Sequence, residues 1–126
     1  MSMNPVGWFE IYVDDMARAR EFYQTVLAIT LDRLPSPTGS ELEMYSFASN
    51  MENYGSSGAL VKMDGISAGG NSTLVYFSCQ DCAVEAERVA AAGGEVQQGK
   101  MAIGDYGFIA IITDSEGNTV GLHSRA

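Results

Sequence analysis

Basic residues, cysteine and histidine are all scarce in this chain, and each scarcity closes off a class of function. Seven lysines and arginines stand against 16 aspartates and glutamates, a net charge of −9. Phosphate recognition needs a basic face, so nucleic acid is not expected as a partner. Anionic membrane surfaces are disfavoured for the same reason. Two cysteines are too few for a disulfide framework. The one histidine, His123, cannot supply both imidazoles of a two-histidine, one-carboxylate iron site. The longest purely apolar run, Phe108 to Ile112, is far short of a bilayer span. Met1 to Val6 has neither a basic start nor an apolar signal region, so a cytoplasmic protein is expected. No Gly-x-Ser-x-Gly elbow occurs. The glycine-rich stretch from Asn53 to Gly58 follows no strand-to-helix pattern and is not read as a phosphate loop.

What remains is a chain of 126 residues, 46% hydrophobic and 18% charged, which suits one soluble domain with a core of its own. Its organisation is a repeat. Trp8 to Val13 is rich in aromatic and β-branched residues and reads as a strand. It runs through Asp15, a helix N-cap, into Met16–Leu27, where Met16, Ala19, Tyr23, Val26 and Leu27 share one stripe. Thr73 to Ser78 is again a strand, Asp81 again a cap, and residues 82–92 again a helix, stopped by Gly93-Gly94. The two caps lie 66 residues apart, as do Trp8 and Leu74. Extended pieces follow each helix: 29–34, 41–48 and 59–63 after the first, then 95–98, 107–113 and 119–123 after the second. Turn-rich spacers at 35–39, 53–58 and 114–118 separate them. The order is βαβββ, twice: repeat 1 at about 6–64 and repeat 2 at about 72–124, joined by a linker at 65–71.

This pattern, with Val13-Asp14-Asp15-Met16 leading to Phe22-Tyr23, Gly93-Gly94-Glu95-Val96, and the Asp114-Ser115-Glu116-Gly117-Asn118 turn before Val120-Gly121-Leu122, resembles the vicinal oxygen chelate superfamily. That is the glyoxalase, bleomycin-resistance and dioxygenase group. The resemblance covers nearly the whole chain and implies an α+β fold in which tandem βαβββ repeats form a cupped mixed sheet. It also implies a homodimer. Metal-using relatives take two ligands from each repeat. Carried over by alignment, these positions fall on Trp8, Val61, Leu74 and Gly121, none of which offers a metal-binding side chain. No cofactor is therefore expected.

Strand alternation turns Glu10 to the same side as Trp8, Tyr76 to that of Leu74, and His123 to that of Gly121. Glu10 and His123 are the candidate acid and base, since a carboxylate and an imidazole in one apolar cleft tune each other's pKa. Trp8, Tyr76, Leu74, Val61, Tyr106 and Gly121 are the candidate ligand-binding residues, with Tyr106 on a loop at the cup's mouth and Gly121 leaving room for a deeper ligand. Tyr45, Phe47, Tyr54 and Phe108 either join the pocket or pack in the core, where Phe22 and Tyr23 belong. Cys79-Gln80-Asp81-Cys82 is a single C-x-x-C pair whose first cysteine precedes the helix, so it is read as incidental.

Three functions follow. The first is a small-molecule-binding protein that holds an apolar or aromatic ligand in the cup without metal. The second is a lyase or isomerase on a small carbonyl compound, using Glu10 with His123 and, in a weaker version, a divalent metal bound by that pair and water. The third is a structural or regulatory subunit that keeps the fold without a ligand, its cup filled by its own side chains.

Overall fold

The computed structural model describes residues 8–35, 42–48, 55–70 and 73–126. Parts of the spacers at 35–39 and 53–58, Tyr54 among them, lie outside the described residues. The first repeat runs β1 (Phe9–Tyr12), α1 (Met16–Leu27), β2 (Asp32–Leu34), β3 (Glu43–Ser46) and β4 (Gly58–Lys62). The second runs β5 (Tyr76–Ser78), α2 (Cys82–Arg88), β6 (Glu95–Ala102), β7 (Phe108–Thr113) and β8 (Thr119–Ser124), with a 3-10 turn at Gly104–Tyr106. Each repeat makes a four-stranded mixed sheet with the same order, β1-β4-β3-β2 and β5-β8-β7-β6. In each, the first strand pairs parallel to the last and the remaining pairs are antiparallel. The tandem βαβββ reading is thereby met.

Both helices start where the aspartates stand. Asp15, extended at φ −130°, accepts from the Arg18 amide at 3.0 Å, and Asp81 accepts from the Ala83 amide at 3.0 Å. α1 buries Met16, Ala19, Phe22, Tyr23 and Val26 and ends on Ala28, whose φ of +54° is left-handed. α2 is shorter than the expected 82–92. From Val89 onward the amides of Val89, Ala92 and Gly93 bond to carbonyls three residues back, so the helix tightens into turns before Gly93. β6 is longer than expected and runs to Ala102, with two register shifts against β7 on either side of Gln98.

One core serves both repeats. Phe9, Phe47, Tyr23 and Phe77 form a ring cluster with centroids 5.3–5.8 Å apart, and Phe22 stacks edge-on to Tyr23 at 5.0 Å. Phe77 comes from the second repeat and the other four rings from the first, so burying them joins the halves. Burial of each large apolar side chain contributes about 1.5–3 kcal/mol. Phe9, Ile11 and Val13 point into this core, which leaves Trp8 and Glu10 on the opposite face of β1.

Candidate functional site

A cleft of about 360 Å³ opens where the repeats meet, and that volume falls in the range of small-molecule pockets. Its walls are Phe9 to Tyr12 of β1, Ile66, Ser67 and Gly69 of the linker, Thr73 and Val75 ahead of β5, and Asn118 to Val120 at the start of β8. The linker wall is fixed in place. The Ala68 amide donates to Asp14 Oδ1 at 3.0 Å and the Gly69 amide to Asn118 Oδ1 at 2.7 Å. Gly69 has φ +82°, a conformation open to glycine at little cost. Asn118 Nδ2 in turn donates to the Tyr12 carbonyl at 3.0 Å, which ties the linker to β1.

The charged group in this cleft is Glu10. Its Oε1 accepts from the Tyr12 hydroxyl at 2.9 Å and its Oε2 from Trp8 Nε1 at 3.3 Å. All three residues lie on one face of β1 by alternation. The hydrogen bond to Glu10, and then burial, push the Tyr12 phenol above its ordinary pKa, so Tyr12 keeps the proton it donates.

His123 stands elsewhere. Its Nε2 lies 2.7 Å from the Tyr106 carbonyl, and it is not among the residues lining the cleft. Glu10 and His123 are therefore not brought together as a hydrogen-bonded pair. Tyr106, 78% exposed, sits with His123 at that other end of β8. Trp8 just before β1, Leu74 just before β5 and Tyr76 at the start of β5 are exposed apolar groups that flank the cleft rather than line it. Val61 is only 2% exposed, beside Tyr12 and Met44 in the sheet. The space that a glycine at 121 was expected to leave is already filled. Tyr76 is its partner in the β5–β8 ladder, and the Tyr76 ring lies where a Cβ at 121 would be. Of the candidate site residues, Glu10 alone lines the cleft.

The four positions to which metal ligands were assigned by alignment are thus an indole, a buried valine, a leucine and a glycine covered by a ring. Among the described residues no three His, Cys, Asp or Glu stand close enough together to hold an ion. The residues present do not fit the family's metal centre. Cys79 and Cys82 are free thiols. Burial, then the nearby Glu85 and Cys82, push the Cys79 thiol up to about 12, which leaves it unreactive at neutral pH.

Sequence reasoning passed over the linker and Asn118 as site residues. The one available signal was Ile66, an apolar side chain set among glycine and serine in a stretch read as a mere connection. The turn at 114–118 also proves to be more than a family mark. Glu116, its side chain fully buried, accepts from the Asp15 amide at 2.8 Å, the Asp14 amide at 3.0 Å, and Arg18 Nε and Nη2 at 2.6 and 2.9 Å. Burial pushes this carboxyl up. Arg18, the Asp15 amide, the Ser115 hydroxyl and the Asp14 amide together outweigh it, and the group lies below its ordinary pKa. Asp114 accepts from the Tyr23 hydroxyl at 2.6 Å and from the amides of Glu116 and Asn118 at 2.8 Å. The turn anchors the second repeat to the helix start of the first.

Comparison with known proteins fits this architecture. The family model described as the Glyoxalase/Bleomycin resistance protein/Dioxygenase superfamily matches residues 6–122. A curated relative from Mycobacterium tuberculosis, named "Putative glyoxylase CFP32", is 28% identical over 118 residues, which are 92% of this chain and 44% of the relative. Glyoxalase I from Zea mays superposes with a TM-score of 0.75 at 21% identity, over 96% of this chain and 46% of that one. TnmS3, an antibiotic binding protein from Streptomyces sp. CB03234, superposes at 0.67 and 22% identity, over 100% of this chain and 99% of that one. The chain thus spans less than half the length of the curated relatives it matches. No helix among the described residues is long and apolar enough to cross a membrane.

Proposed function

The chain belongs to the glyoxalase/bleomycin resistance protein/dioxygenase superfamily, and we propose that it is a small-molecule-binding member that takes an apolar or aromatic ligand between its repeats without a metal. The observation that carries this reading is the cleft itself. Tyr12, Ile66 and Val75 give it apolar side chains that are not buried in the core, and hydrogen bonds from the Ala68 and Gly69 amides to Asp14 and Asn118 hold the linker wall in place before any ligand arrives. Burying apolar ligand surface contributes about 25 cal/mol per Å², and a wall already ordered loses little entropy on binding. The antibiotic-binding relative of equal length supports the same reading. We read the protein as a cytoplasmic homodimer. Its two thiols are unpaired, and the curated relative has room for two such units in one chain.

A second reading is a lyase or isomerase on a small carbonyl compound, with Glu10 as the base that takes a proton next to the carbonyl. It is favoured by the position of Glu10 in the cleft, between two neutral hydrogen-bond donors, and by the names of the glyoxalase relatives. His123, outside the cleft lining, has no part in that version.

The first measurement is metal content by plasma mass spectrometry on gently purified protein, followed by thermal melts with Zn²⁺, Ni²⁺, Mn²⁺ and Fe²⁺. Absence of stoichiometric metal, no stabilisation by added ions, and a melting rise with aromatic ligands are expected. Stoichiometric metal overturns the metal-free reading. Turnover of a carbonyl substrate that is lost in Glu10→Gln, with the fold intact, moves the enzyme to first place.

A further inference from the structure

We infer that the cleft selects flat ligands that carry a positive charge, and that Glu10, held by Trp8 and Tyr12, supplies the countercharge. The inference rests on the small-molecule reading above and names the ligand class for that same site. The argument starts from where the protein's cations go. Arg18 pairs with Glu116, Lys100 with Asp81, Arg88 donates to the Val26 carbonyl, and the Arg20 guanidinium lies 4.0 Å from the centre of the Tyr45 ring. Arg33, Lys62 and Arg125 sit on β2, on β4 and after β8. These seven are all the lysines and arginines of the sequence, and neither they nor His123 line the cleft.

Among the described residues, Glu10 thus has neutral hydrogen-bond partners only, Trp8 and Tyr12. An ionised carboxylate has about four lone-pair positions; the Tyr12 hydroxyl and the Trp8 indole occupy two of them. They fix the carboxylate without cancelling its charge. A neutral ligand covering the apolar walls strips water from that charge and returns nothing, which opposes binding. A cation replaces the lost water with a Coulomb partner, and the flanking indole and phenol add attraction over their ring faces. Trp8 keeps 45% of its surface exposed, so its ring is open to such a contact. An anionic ligand meets both Glu10 and the protein's net charge of −9.

The test compares two probes of one ring system, acridine, uncharged at pH 8, and N-methylacridinium, a fixed cation, by fluorescence titration of the full chain. The cation is expected to bind about tenfold more tightly than acridine, and Glu10→Gln is expected to reduce that ratio to about two. Glu21→Gln, on the exposed face of α1, changes the net charge equally and is expected to leave the ratio unchanged. Melting curves confirm that both variants fold. Equal affinity for the two probes in the wild type overturns the charge selection and leaves the small-molecule site standing. An equal loss in both variants also overturns it, since it assigns the preference to the overall field rather than to Glu10. Failure of both probes to bind overturns the inference and the binding reading together.

Discussion

In the first repeat the helix start at Asp15 is held by a carboxylate from the far end of the chain. In the second, the equivalent start at Asp81, 66 residues later, has no such carboxylate: the neutral Ser124 hydroxyl accepts from the Cys82 amide at 3.0 Å, and Lys100 reaches Asp81 at the surface, 2.8 Å away. The consequences run outward from that difference. α1 has 12 residues with five of them buried, whereas α2 has 7 with only Cys82 buried. The face of β1 that carries Trp8, Glu10 and Tyr12 presents a fixed carboxylate, while the matching positions of the second repeat are Leu74, Tyr76 and Ser78. A repeated sequence plan therefore yields an asymmetric molecule. The second repeat closes on the first through its 114–118 turn, and Asn118 of that turn also holds β1 where it lines the cleft. The anchor of the fold and the wall of the site are one set of bonds.

Removing that anchor is the strongest way to break the comparison. Glu116→Ala leaves two backbone amides at the start of α1 without their acceptor and Arg18 without its partner. The expected cost is about 3 kcal/mol, measured by the urea midpoint. Asp81→Ala, the matching loss in the second repeat, is expected to cost about 1 kcal/mol, the usual value of a cap. Equal costs would show that the buried carboxylate does no more than an ordinary cap.

Acid separates the two starts further. Glu116 lies below its ordinary pKa in the folded chain, so the stability it contributes is complete above the unfolded value of about 4.3. That stability is lost as pH falls through the lower, folded value. Stability of the wild type should thus decline below about pH 4.5, and Glu116→Gln should flatten that decline. Asp81, lowered by Lys100 and by the Ala83 amide, has the same sign. Being at the surface, its Lys100 part should vanish in high salt, while the Glu116 part persists. A Glu116→Gln protein with an unchanged acid profile would remove the distinction.

Tyr23→Phe comes next in size. It deletes the hydroxyl that donates to Asp114 and leaves a buried carboxylate with its remaining amide donors. Burial, and then the Asp114 carboxylate, hold the Tyr23 phenol well above its ordinary pKa, so it remains a donor at neutral pH. A loss of about 1–2 kcal/mol is expected in the urea midpoint. No loss would show that the amides alone satisfy Asp114.

Sequence alone reached both caps and the buried stripe of α1, because these depend on neighbours within four positions along the chain, and it reached the repeat because the same local pattern recurs 66 positions later. Glu10 was legible for the same reason. A charge amid apolar strand residues is visible locally, and its partners Trp8 and Tyr12 are two positions away. What stayed hidden depends on distant contacts. Glu116 meets Arg18 across 98 positions and Tyr23 meets Asp114 across 91. Gly121 read as open space because its neighbour on the next strand, Tyr76, lies 45 positions earlier, and nothing local says that its ring folds over the gap. His123 shares its strand face with Gly121, yet the cleft takes in only Thr119 and Val120 at the strand's start. Alternation gives the face of a strand and not the position along it.

The smallest effect tests the weaker side of the comparison. Lys100 spans Asp81 and the Ala126 carbonyl and lies 4.6 Å from the centre of the Phe108 ring, so three contacts meet on one flexible side chain. Each is exposed enough for water to replace it, and holding a long side chain in one rotamer costs entropy. Lys100→Ala is therefore expected to change stability by less than about 0.5 kcal/mol at physiological salt. A larger loss, persisting in 1 M salt where surface pairs are screened, would place the strength in the Phe108 contact rather than in the ion pair. The second repeat would then have a surface contact that firms its helix start beside the Cys82–Ser124 bond, and the two starts would differ less in strength than in the charge of the group that holds them.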